Sequence, residues 1–157
     1  MPRLYILIIG IGMLTIACNN HSTSEATDRK NGYEPVLKTK EDSLYHDVMQ
    51  GHDAGMAKTG KLRKNIDEVK NRLDSINKLP AAKVNASYKE ALIRLQKQLN
   101  DANHEMNTWM DEFKVDSAAN NPDLRIKYLQ QEKDKVTLVK QHILSSLQTA
   151  DSLLNKK

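Results

Sequence analysis

Ten positions of residues 45–76 recur at spacings of three and four without a skip: Tyr45, Val48, His52, Gly55, Thr59, Leu62, Ile66, Val69, Leu73 and Ile76. Residues spaced this way lie on one side of an α-helix, and a helix with one such stripe must bury it against another. Pro80 cannot continue the ladder and closes the run. A second stripe runs Tyr88, Leu92, Leu95, Leu99, Ala102, Met106, Trp109, Phe113. A third runs Leu129, Glu132, Val136, Val139, Ile143, Ser146, Ala150, Leu153, flanked by Leu147 and Leu154. Three amphipathic helices with short connections fold back on one another. The expected fold is therefore all-α, an antiparallel up-down-up three-helix bundle of coiled-coil character. Few β-branched runs and only 4% aromatic residues leave no strand pattern to compete with it.

Start signals agree with the stripes. Thr39-Lys40-Glu41-Asp42 and Ser87-Tyr88-Lys89-Glu90 both fit a capping box, and Asn121-Pro122 places a cap before proline at the first helical position. These mark helices over about 39–79, 87–115 and 122–156 within a bundle domain of residues 39–157. A first turn centred near Ala82 puts Gly55 level with Trp109 and Thr59 level with Met106. A second centred near Ala118 puts Met110 level with Ile126 and His104 level with Glu132.

Ahead of the bundle the text changes character. Residues 4–17 are apolar after Arg3, short for a membrane span of about 20 residues but of signal-peptide length. The run ends Leu14-Thr15-Ile16-Ala17-Cys18, which resembles a bacterial lipobox. That resemblance implies cleavage after residue 17, lipidation of Cys18 with acyl chains such as palmitate, and anchoring to a membrane. Cys18 is the only cysteine, so no internal disulfide is open to the chain. Residues 19–38 are polar, contain Gly32 and Pro35, and read as a flexible linker. Asn19 rather than Asp follows the cysteine, which by the same resemblance implies the outer membrane; Asn19-Asn20-His21 lacks the acidic residues that surface export would favour, which implies a bundle facing the periplasm.

The expected antiparallel packing gathers the four methionines beyond the signal, Met49, Met56, Met106 and Met110, at one end of the bundle. The single Trp109 and single Phe113 join them, with His52 in their midst. Two readings stand. One is packing, with large side chains against Gly55 and Met filling irregular gaps, and with Asp53 and Gly60 part of the same stretch. The other is a soft-metal site for copper on Met49, His52, Met56, Met106 and Met110, because thioether and imidazole donors suit Cu(I). His104 falls on the outer face and His142 beside the seam, and Glu132 is expected to be a Lys-paired seam carboxylate level with Thr59.

Charge points away from nucleic acid. The chain has 24 basic and 20 acidic residues, interspersed rather than striped, and its aromatics lie on the seams. No nucleophile–base pairing, phosphate loop or zinc spacing occurs in the sequence, so the expected role is not enzymatic. An envelope protein partner is the remaining expectation.

The run His52-Asp53-Ala54-Gly55-Met56-Ala57-Lys58-Thr59-Gly60-Lys61-Leu62, with Met106-x-x-Trp109-Met110-x-x-Phe113, resembles small helical lipoproteins of Bacteroidetes-type bacteria labelled "viral A-type inclusion protein". The two motifs cover about a fifth of the chain. The resemblance implies a lipid-anchored helical protein and carries no activity with it.

Overall fold

The computed structural model describes residues 37–155. The expected lipobox with Cys18, and most of the expected linker, lie outside those residues.

Helix α1 spans Lys40–Asn77 and opens on the expected capping box. Thr39 Oγ1 accepts the Asp42 N–H at 3.0 Å, and Asp42 Oδ2 accepts the Thr39 N–H at 3.0 Å. Hydrogen bonding to the carboxyl from the Thr39 side chain, and then from the Thr39 backbone N–H, holds Asp42 below its usual pKa. A single 3-10 turn, Ala81–Lys83, follows Pro80. Helix α2 spans Ala86–Glu112. Its cap is Asn85 and not the expected Ser87: the Asn85 amide oxygen accepts the Tyr88 N–H at 3.0 Å, so Ser87 is already inside the first turn. Helix α3 spans Pro122–Leu154, capped by Asn121, whose side chain accepts the Leu124 N–H at 3.1 Å.

The three helices form the expected all-α bundle, each packing on both others, with α1 and α3 sharing the largest interface. The fully buried side chains are stripe residues: Val48, Leu62 and Val69 from α1, Leu92, Leu95, Leu99 and Met106 from α2, Leu129, Val136 and Ile143 from α3. Each fully buried aliphatic side chain contributes about 1.5–3 kcal/mol of transfer free energy. Among the described residues, no helix is long and apolar enough to cross a membrane.

At the end away from Thr39, one side chain ties all three helices. The Arg72 guanidinium donates to Glu68 Oε1 at 2.7 Å, to the Tyr88 hydroxyl at 2.8 Å and to the Leu154 carbonyl at 2.9 Å. Its bonds to Tyr88 and then Glu68 raise its pKa further.

At the other end, α2 is the short member. It stops at Glu112, and residues 113–121 run on as a strap beside the first turns of α3. The Lys114 N–H donates to the Tyr128 hydroxyl at 2.7 Å. Buried Arg125 donates to the Ser117 carbonyl at 2.9 Å and to Glu41 Oε1 at 3.0 Å, fastening the strap to both flanking helices. Ala118 takes φ 58°, a left-handed conformation that costs a residue with a Cβ roughly 1 kcal/mol.

This strap corrects the expected register. Because residues 113–121 are spent running along α3, the turn is not symmetric about Ala118. Phe113 stacks on Tyr128 and Glu105 bonds His142, one to three turns further along α3 than expected. The first turn is off by less. Met106, not Trp109, meets Gly55, and Trp109 meets His52, a shift of about one turn.

Candidate functional site

The methionine-aromatic end is built around two glycines of α1. Gly51 and Gly55 are both buried. A Cβ on Gly51 would stand 2.9 Å from Val136 Cγ1 of α3, and one on Gly55 would collide with the terminal methyl of Met106 from α2. The missing side chains are therefore filled by neighbours, and α1 lies close to both other helices. Met106 itself is only 1% exposed.

One turn before Gly55, the His52 ring meets Trp109, with centroids 5.6 Å apart and planes tilted by 35°. Trp109 stacks on Phe113 at 4.9 Å, and Phe113 on Tyr128 at 6.1 Å. The four rings form a ladder from α1 across the end of α2 to α3. Stacked pairs of this kind add about 0.5–1.5 kcal/mol each beyond their buried area.

The His52 Nδ1 lies 2.9 Å from Asp53 Oδ1, while the His52 side chain is 21% exposed and that of Asp53 74%. Met56 is half-buried and packs against the core, Met49 is half-buried, and Met110 is exposed. Gly60 does not take part in packing: it is exposed, and a Cβ there would meet nothing within 4 Å. It sits one position past the buried edge of α1, so the expectation that it belongs to the packed motif is corrected. His52 and Gly55 of α1 meet Trp109 and Met106 of α2, and Met56 packs against the core. Met49, Asp53, Gly60 and Met110 lie at its margin or on the surface.

A polar seam runs beside this end. Glu132 is 4% exposed, and its Oε1 accepts from Lys135 Nζ at 2.8 Å, as the expected Lys-paired carboxylate. The Lys135 ammonium is held above its usual pKa by that bond. Glu132 lies nearer Asp47 than Thr59 in level, since the adjacent Lys133 reaches Asp47 at 2.7 Å. Glu132 Oε2 and Trp109 Nε1 are buried with no hydrogen-bond partner among the described residues.

On the outer side, α2 and α3 leave an open groove. A hollow of about 340 Å³ is lined by His104, Thr108, Trp109, Lys135, Leu138 and Val139. A neighbouring hollow of about 290 Å³ is lined by Gln98, Ala102, Ser145, Ser146 and Thr149. Glu105 and His142 line both and bond to each other at 2.6 Å. His104 and His142 are exposed, as their positions in the stripe pattern imply. Among the described residues, no three His, Cys, Asp or Glu side chains converge to hold a metal ion.

Sequence reasoning missed Gly51, Asn85 and Arg125. Gly51 lies three residues after Val48, on the edge of the stripe that faces α3. Arg125 lies four residues before Leu129 and extends the third stripe backwards, but its charge sorts it outward in a pattern-based reading.

No family model, curated protein or solved structure matches the chain.

Proposed function

We propose that this chain is a lipid-anchored protein of the bacterial cell envelope whose helical bundle serves a structural or protein-docking role rather than catalysis. The observation that carries the reading is Leu14-Thr15-Ile16-Ala17-Cys18, followed by twenty polar linker residues and then a bundle. A lipobox ahead of a linker is the text of a tethered domain. Two or more acyl chains on Cys18 anchor stably, at about 0.8 kcal/mol per buried methylene. Asn19 favours the outer membrane, and the absence of acidic residues in Asn19-Asn20-His21 favours a bundle in the periplasm. The bundle supports the docking reading through the groove along α2 and α3, flanked by the exposed Leu138. The resemblance of the 52–62 and 106–113 motifs to small helical lipoproteins points the same way.

The test has two stages. Metabolic labelling with an alkyne palmitate analogue is expected to mark the wild-type chain and not Cys18→Ala. The lipidated chain, crosslinked in intact cells, is expected to recover one envelope protein in stoichiometric amount, lost on Leu138→Glu. A labelled but partnerless monomer would leave the anchor standing and overturn the docking role.

A further inference from the structure

We propose that the occupant of the α2–α3 groove is a second copy of this chain, docked about a two-fold axis parallel to the helices. The proposal rests on the docking reading above and names its partner.

The groove is longer than the two hollows beside Glu105 and His142. A third hollow of about 300 Å³ lies beyond them, lined by Arg94, Leu95 and Leu153. It shares Gln98 and Thr149 with the middle hollow, which shares Glu105 and His142 with the one beside Trp109. The three make one trough from Ala91 to Glu112 of α2, about 32 Å long at 1.5 Å per residue. Two helices of about 10 Å diameter make it about 20 Å wide. A second copy laid along it covers about 600 Å² on each chain, or about 1,200 Å² in all, above the roughly 1,000 Å² that a specific interface needs. Ala102 and Ser146 lie buried at the middle of the trough, so the approaching helices meet no large side chain there.

Charge selects the occupant and its orientation. The α2 wall carries the carboxylates Asp101, Glu105 and Glu112 and one cation, Arg94. The α3 wall carries Lys135 and His142 and, among the described residues, no carboxylate. Such a trough complements itself when α2 of one copy lies over α3 of the other. Its levels are set by residues that face each other across it: Gln98 with Thr149, Glu105 with His142 at 2.6 Å, and Glu112 with Lys135. A two-fold axis along the trough preserves those levels. Glu112 of each copy then meets Lys135 of the other. Leu138, 52% exposed, comes over Thr108 and Trp109 of the other copy. Arg94 reaches the last turn of the other α3, where unpaired carbonyls favour a cation. The opposite two-fold, across the helices, lays α2 on α2 and sets Asp101 and Glu105 against their own copies, which is repulsive. The favoured axis also leaves Thr39 of both copies at the same end, so both tethers lead to one membrane.

The test is sedimentation of the full chain, purified from cells in density-matched detergent, which reads the protein mass per particle. A dimer is expected. Glu112→Lys and Lys135→Glu are each expected to weaken association at least about tenfold, because two exposed pairs per dimer turn from attraction to repulsion. An equal mixture of those two variants is expected to dimerise as the wild type does, since every contact between unlike chains then joins opposite charges. Charges facing each other within one chain cannot produce that rescue. Leu138→Glu is expected to give a monomer. Glu112 and Leu138 are exposed, so Glu112→Lys and Leu138→Glu keep the proposal testable even if Lys135→Glu, which also takes a partner from Glu132, does not fold. Circular dichroism melts check each variant. A monomeric wild type, a dimer untouched by Glu112→Lys and Leu138→Glu, or two folded charge variants that fail to associate on mixing would each overturn the proposal. A monomer that still captures a different envelope protein through Leu138 would overturn self-docking and leave the docking role standing; a monomer with no partner would overturn both.

Discussion

The terminal methyl of Met106 fills the space beside Gly55 that a side chain would take. The same helix offers two comparisons, Gly51 against Val136 and Gly60 against nothing. One substitution therefore has three outcomes. Gly60→Ala is expected to stabilise the chain by about 0.5–1 kcal/mol, since alanine is the better helix former and no atom stands in the way. Gly51→Ala is expected to destabilise it by about 1–3 kcal/mol, because Val136 is stiff at χ1 and cannot fold its methyl aside. Gly55→Ala is expected to fall between, since the end of Met106 is flexible and swings away. Chemical denaturation of the three variants gives the order directly.

Glu132 is a half-satisfied buried carboxylate, with Oε1 on Lys135 and Oε2 on nothing. Its partner Lys135 is 55% exposed and needs no replacement for the lost bond. Glu132→Met is accordingly expected to raise stability by about 1–2 kcal/mol, as apolar replacement of buried ion pairs often does. A lower melting temperature in the variant would mean that Oε2 is satisfied by water or by a bound group.

Arg125 holds the strap. Arg125→Met removes the bonds to Ser117 and Glu41 while keeping the aliphatic stem, and is expected to cost about 2–3 kcal/mol. The loss has a location. Hydrogen exchange is expected to accelerate at the Lys114 amide, which is bonded to Tyr128, while amides near Leu95 stay protected.

Asp42 supplies a pH dependence. Its carboxyl pKa is lowered in the fold, from the ordinary 3.8, by hydrogen bonds from the Thr39 side chain and backbone. A depressed folded pKa means that the contribution is present above 3.8 and is lost as pH falls through the lower folded value. Asp42→Ala is therefore expected to melt earlier than wild type at neutral pH, with the gap closing below that value. Thr39→Ala is expected to cost about 1 kcal/mol at neutral pH through the same cap.

Helix number, the caps at Thr39 and Asn121, and nearly every buried position were legible, because stripe spacing and capping chemistry are local and written in adjacent residues. Register was not. It depends on the path of residues 113–121, which is set by Arg125 reaching Ser117 and by Ala118 accepting a left-handed backbone, neither of which has a sequence pattern. The candidate site was half legible for the same reason. Methionine, histidine and tryptophan announce one end of the bundle by composition. That Met106 and not Trp109 seats against Gly55 follows from a shift of one turn, which periodicity leaves open. Gly51, Gly55 and Gly60 look alike in the chain and differ only in what a neighbouring helix brings to them.

The Arg72 bridge to the Leu154 carbonyl bears on how the fold is reached. The largest interface joins the first helix to the last, and its final fastening sits at the last turn of α3. A chain emerging from its N-terminus can form helices and pack α1 on α2 early, but it cannot complete the burial of the α1 stripe until nearly all of α3 has followed. Closure over so long a loop is costly and comes late. A truncation that removes the last turn is therefore expected to cost cooperativity rather than only a few contacts.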